Sequence, residues 1–298
     1  MSDWNLLGVF VFVFLLSLCG CSVNEEPMSA DFEQALARAK AGDAHAQFKI
    51  GKMHASGDGV PQNDIEACKW FRMSAEQGDA KGQNGMGLQY CTGRGVPQDY
   101  TQAMKWYRLA AEQGDAAAQN NLGGMYATAQ GTQQDYAQAL KWYRLAAEQG
   151  DGDAEFNLGS MYAKGEGVTE DSAEAVKWYR LAAEQRVAAA QHKLGVAYVN
   201  AEGVKQDYAE AVKWFRFAAE QGNALAQLNL GNAYLKGKGV TQDKIEGYAW
   251  IAVSAASLGG AKSLAKQREE FKESLSKSEL ILGQRRATEL LETYGSGK

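Results

Sequence analysis

"KWYRLAAEQGD" occupies Lys105–Asp115 and recurs letter for letter at Lys141–Asp151, with a third copy, "KWYRLAAEQ", at Lys177–Gln185. Such a stretch is either a site used several times or a scaffold built several times, and its spacing decides. Trp70, Trp106, Trp142, Trp178, Trp214 and Trp250 follow one another at intervals of 36 residues, a period that marks a stacked-repeat architecture. The period divides the chain into a leader (1–20), a tether with a pre-helix (21–42), six repeats (43–259) and a helical C-terminal cap (260–298).

Within one copy, Gln119, Leu122, Gly123 and Tyr126 fall on one face of a helix, and after a loop ending at Gln134, Ala139, Trp142, Tyr143, Ala146 and Ala147 do the same. Asp99, Asp135, Asp171, Asp207 and Asp243 precede the second helices, with Gln or Glu three residues later, the pattern of a capping box. Gly78, Gly114, Gly150 and Gly222 end the second helices, and Asp or Asn follows each to cap the next first helix. Paired loop glycines such as Gly93 and Gly95 suit a tight turn; with no strand before them they do not make a dinucleotide-binding fingerprint. In the motif itself, Trp, Tyr and the alanines are expected to form the core, while Lys and Arg cover its edges with their stems.

"AAQNNLGGMYA", "KGEGVTEDSAEAVKWYRLAAEQ" and the 36-residue spacing resemble the Sel1-like repeat family, a relative of the tetratricopeptide repeat. The resemblance implies an all-α fold, a right-handed α-solenoid of six helix-turn-helix repeats whose first helices line the concave side. It also implies a non-enzymatic protein-interaction scaffold. Stacking is required on physical grounds too, because one helix pair cannot bury its apolar faces alone.

The leader reads separately. "LLGVFVFVFLLSL", Leu6–Leu18, is too short to span a bilayer but suits a signal-peptide core. Leu18-Cys19-Gly20-Cys21 resembles a bacterial lipobox, implying cleavage before Cys21, lipidation of Cys21 and a periplasm-facing protein anchored in the outer membrane. The n-region "MSDWN" departs from that pattern in having no Lys or Arg. Cys68 and Cys91 read as small core residues, although export would permit a disulfide.

The formal net charge of −5 with interspersed signs removes the electrostatic case for nucleic-acid binding. His45, His54 and His192 have no metal-ligand spacing, so neither metal nor cofactor is expected; His54 stands where later copies carry Tyr90, Tyr126, Tyr162, Tyr198 and Tyr234. Ser263–Lys266 and Ser274–Lys277 match S-x-x-K, but the companion motifs of penicillin-recognising enzymes are missing. No catalytic residue is assigned, and β-lactam chemistry is a minor alternative to scaffolding.

The column just before the first-helix Leu-Gly pair reads Lys49, Gly85, Asn121, Asn157, Lys193 and Asn229. Resemblance to tetratricopeptide repeats implies that this column faces the groove, where Lys49, Asn121, Asn157, Lys193 and Asn229 would hold the backbone or carboxylates of a protein or peptide partner, including peptidoglycan stem peptides. The competing role for each Asn is a structural bond to the neighbouring loop. Beside it runs a mixed column of Phe48, Asn84, Asn120, Phe156, His192 and Leu228. At one junction, "AEQRVAAAQ", Arg186 replaces the turn glycine and Val187 the cap, so altered turn geometry or a weak point is expected there. In the tail, Leu280, Leu290 and Leu291 are expected to pack.

Overall fold

A computed structural model of the protein describes residues 30–258, 269, 271–273 and 275–294. Its helices are α1 (Ala30–Lys40), α2 (Ala44–Ser56), α3 (Asp64–Glu76), α4 (Ala80–Thr92), α5 (Tyr100–Glu112), α6 (Ala116–Thr128), α7 (Tyr136–Glu148), α8 (Gly152–Lys164), α9 (Ser172–Glu184), α10 (Ala188–Asn200), α11 (Tyr208–Glu220), α12 (Ala224–Lys236), α13 (Lys244–Ser257) and α14 (Lys277–Tyr294). No strand occurs among the described residues. The pairs α2/α3 to α12/α13 are the six repeats, and each helix packs on the next to form a solenoid. The leader, Cys21 and residues 259–268 lie outside the described residues.

Local chemistry sets each boundary. Asp115 accepts the Ala118 N–H at 2.8 Å to start α6, and Asp135 accepts the Gln138 N–H at 3.0 Å to start α7. Only the aspartate half of the expected capping box forms. The cap's own N–H instead donates to the first helix, Asp99 to the Tyr90 carbonyl at 2.9 Å and Asp135 to that of Tyr126 at 3.0 Å, which folds the second helix back on the first.

The core lies between repeats as much as within them. Ala103, Tyr107 and Ala110 of α5 are buried with Ala118, Leu122 and Met125 of α6, the first helix of the following repeat. Tyr143 presses on Gly123 of its own first helix so closely that a Cβ there would stand 2.8 Å from the ring. Glycine inside a helix costs about 1 kcal/mol; here the ring uses the vacated space. The tryptophans correct the expectation of a uniform core. Trp214 and Trp250 are buried, but Trp70, Trp106, Trp142 and Trp178 are half-exposed, because each rests on the outside of the preceding interface, as Trp142 does on the α5/α6 cluster. The motif's arginine does more than cover an edge: Arg108 donates to the Tyr126 hydroxyl at 2.8 Å and Arg144 to that of Tyr162 at 3.1 Å, each bridging to the next repeat.

A row of buried amides crosses the same interfaces. Gln119 donates to the Ala111 carbonyl at 3.1 Å and accepts from Gln149 at 2.7 Å. Gln47, Gln83 and Gln191 repeat both bonds at their own interfaces.

Arg186 does not alter its turn. It takes the left-handed conformation (φ 67°) that Gly150 takes at the equivalent place (φ 81°), although Val187 supplies no side-chain cap. At the far end, α14 covers α13 with Gly283, Ala287 and Leu290. Tyr294 stacks on Trp250, and Arg286 forks onto Glu246 at 2.9 and 3.2 Å. Leu280 is half-buried, but Leu291 is exposed, since the stripe at i, i+4 and i+7 leaves it about 100° from Leu290 around the helix.

Candidate partner-binding face of the first helices

The Asn and Lys column sits on the first helices α2, α6, α8, α10 and α12, one turn into each and immediately before the buried Ile50 or Leu that anchors the helix. Lys49 and Lys193 are exposed, while Asn121, Asn157 and Asn229 are half-buried. Gly85 has a packing reason: a Cβ there would stand 2.8 Å from the Phe71 ring.

The asparagines are tied to one another's neighbours, across helices and not to loops. Asn121 Nδ2 donates to Asn84 Oδ1 at 3.1 Å, Asn157 Nδ2 to Asn120 Oδ1 at 2.9 Å, and Asn229 Nδ2 lies 3.1 Å from His192 Nε2. The column and the mixed set beside it are thus one cross-repeat ladder. Each bond uses one amide hydrogen and leaves the carbonyl oxygen and a second N–H available to a ligand.

At several places along this face the surface is hollow. Asn157 and Lys193 line one depression with Phe156 and Tyr179 in its wall, Asn229 lines the next with Lys236 and Lys238, and Lys49 lines another beside Arg38 and Lys52. Polar amides, ammonium groups and apolar floor therefore meet in the depressions of the fourth to sixth repeats. Burial, aided by neighbouring Lys193, lowers the His192 pKa and keeps the ring neutral beside Asn229. No local sequence pattern pairs His192 with Asn229, which are 37 residues apart.

Elsewhere, chemistry is sparse. Cys68 and Cys91 are free thiols, one buried and one half-buried, and burial raises both pKa values. His54 packs edge-on against Phe32 with ring centres 5.8 Å apart. Among the described residues no group of three or more His, Cys, Asp or Glu is placed to hold a metal, and no helix is long and apolar enough to cross a membrane. Ser263 and Ser274 of the two S-x-x-K matches lie outside the described residues.

The Sel1 repeat family model matches residues 44–79, 80–115, 116–151, 152–187, 188–223 and 224–257. The chain belongs to the Sel1 repeat family. A Sel1 repeat protein from Oxalobacter formigenes has a solved structure that is similar at 32% identity and a TM-score of 0.66, over 76% of this chain and 97% of that one. A protective antigen present in uropathogenic Escherichia coli strains, displaying an SLR fold, is similar at 31% identity and a TM-score of 0.57. That match covers 89% of this chain but 64% of the antigen, so the chain spans less than two thirds of the antigen's length. No curated protein matches. Sel1 repeat proteins typically mediate protein–protein interactions and are generally non-catalytic scaffolds.

Proposed function

We propose that this protein is a lipid-anchored scaffold facing the periplasm, held in the outer membrane through Cys21, that binds a protein or peptide partner along its first helices. The supporting observation is the ladder and its hollows, where Asn157, Lys193 and Asn229 offer amide and ammonium groups beside apolar floor at one-repeat spacing. An extended peptide has backbone groups for the amides, carboxylates for the lysines and side chains for the floor.

Photo-crosslinking in intact cells tests the reading. A crosslinker at position 193 is expected to capture an envelope protein, whereas one at position 177, exposed on the second-helix side, does not. Changing Asn121, Asn157 and Asn229 together to Ala is expected to abolish the adduct while helicity is retained. Equal capture from both positions, or capture indifferent to the triple substitution, overturns the groove assignment.

A further inference from the structure

The amide row is broken once. At the position of Gln47, Gln83, Gln119, Gln191 and Gln227, the fourth repeat carries Glu155, 4% exposed. Every glutamine of the row donates through Nε2 to a carbonyl near the end of the preceding helix, Gln191 to Ala183 at 3.0 Å and Gln227 to Ala219 at 3.2 Å among them. A carboxylate has no hydrogen to give. Glu155 keeps the accepting half of the arrangement, taking the Gln185 Nε2–H on Oε2 at 2.8 Å. Its other oxygen has no hydrogen-bond partner among the described residues, and the equivalent carbonyl, that of Ala147, receives backbone N–H groups, that of Gly150 at 2.9 Å among them, but no side-chain donor among the described residues.

Among the described residues no cation offsets this carboxylate. The charged groups acting on it are Asp151, at the start of its own helix α8, and Glu184, at the end of α9. Helix α7, packed on its other side, corresponds to the helix that offers a carbonyl at the other interfaces. Asp153, on the same helix, and Asp115, at the start of α6, act in turn on Asp151. Burial, reinforced by Asp151 and Glu184, raises the Glu155 pKa above the ordinary 4.5 despite the Gln185 bond. A group of this sign stabilises the fold fully below its unfolded pKa, and that contribution is lost as pH rises through the folded value.

We propose that the α7/α8 interface is an acid-responsive joint, in which Glu155 takes up a proton and donates it in a hydrogen bond to the Ala147 carbonyl, as the glutamines do at the other interfaces. The protonated acid reproduces the amide's donor and acceptor pair. The joint between the third and fourth repeats therefore tightens on acidification and is the loosest of the row at neutral pH. Glu155 stands two residues before Asn157 on α8, so the register between two rungs of the ladder follows the proton.

Hydrogen–deuterium exchange on the full chain, corrected for the intrinsic pH dependence of exchange, tests this at residues 150–155. Glu155→Gln is expected to slow exchange there about 5-fold at about pH 7.5, the effect of one hydrogen bond, and to match the wild type at about pH 4. The converse change, Gln119→Glu, is expected to install the same pH dependence at residues 114–119. A Glu155→Gln to wild-type ratio that stays constant with pH overturns the proposal, and so does a Gln119→Glu variant whose exchange gains no pH dependence.

Discussion

Two neighbouring interfaces of the solenoid reach one geometry with different chemistry. Between the third and fourth repeats, Gly150 turns the chain and Asp151 caps α8 by accepting the Ala154 N–H at 2.8 Å, but Glu155 leaves the amide bond unmade. Between the fourth and fifth, Arg186 is forced left-handed and Val187 caps nothing, yet Gln191 makes both of its bonds. Each interface has lost a different local device, and the turn is the same in both. The repeat is over-determined: caps, turn residues, amides, the Arg–Tyr bridge and the ring on glycine each specify the same packing, so one can lapse without moving the backbone.

The comparison breaks most strongly at the tryptophans. Trp214, which seals the α9/α10 cluster, is 8% exposed, and Trp214→Ala is expected to cost about 3–5 kcal/mol in urea unfolding. Trp178 rests half-exposed on the α7/α8 cluster, and Trp178→Ala is expected to cost about 2 kcal/mol. Equal losses would mean that the two interfaces rely on this residue alike, and that burial does not distinguish them.

The local devices set a smaller scale. Replacing Arg186 by Gly and Val187 by Asp together relieves a left-handed side chain, worth about 1–2 kcal/mol, and adds a cap worth about 1 kcal/mol. The double variant is expected to be about 2 kcal/mol more stable in urea unfolding. No gain would place compensation for the strain elsewhere in the interface.

Much of this was legible in the sequence because a period of 36 repeats the local signals along with the fold. The Asp99 and Asp115 caps could be read directly, since capping is a relation between residues two or three apart. Trp142 could not, because helical periodicity places Trp142 and Tyr143 on one broad face without saying which meets its own repeat and which the one before. Gln119 was visible as a member of the packed face, and its recurrence at 47, 83, 191 and 227 was the available sign of a buried amide row. What it bonds depends on stacking. The Asn column was recognisable by position, but its bonds to Asn84, Asn120 and His192 join helices of successive repeats, beyond the reach of any local pattern.

The smallest expected effect is a second response to acid, one repeat further along, and its sign is opposite to that of Glu155. His192 follows Gln191 in α10, with its ring tilted against Phe215 at 5.9 Å and near Asn229. Burial foremost, then Lys193, lowers its pKa below the ordinary 6.5. A depressed histidine contributes stability above its unfolded pKa, and that stability is lost as pH falls through the folded value. Acidification below about pH 6.5 therefore loosens the contact of α10 with its neighbours, while protonation of Glu155 tightens that of α7 with α8. His192→Phe keeps an aromatic ring against Phe215 and removes the proton. Its exchange at residues 188–194 is expected to be flat where the wild type quickens on the acid side, after correction for intrinsic rates. A wild type that also stays flat would show that the ring tolerates its charge in place, and the acid response of the solenoid would rest on Glu155 alone.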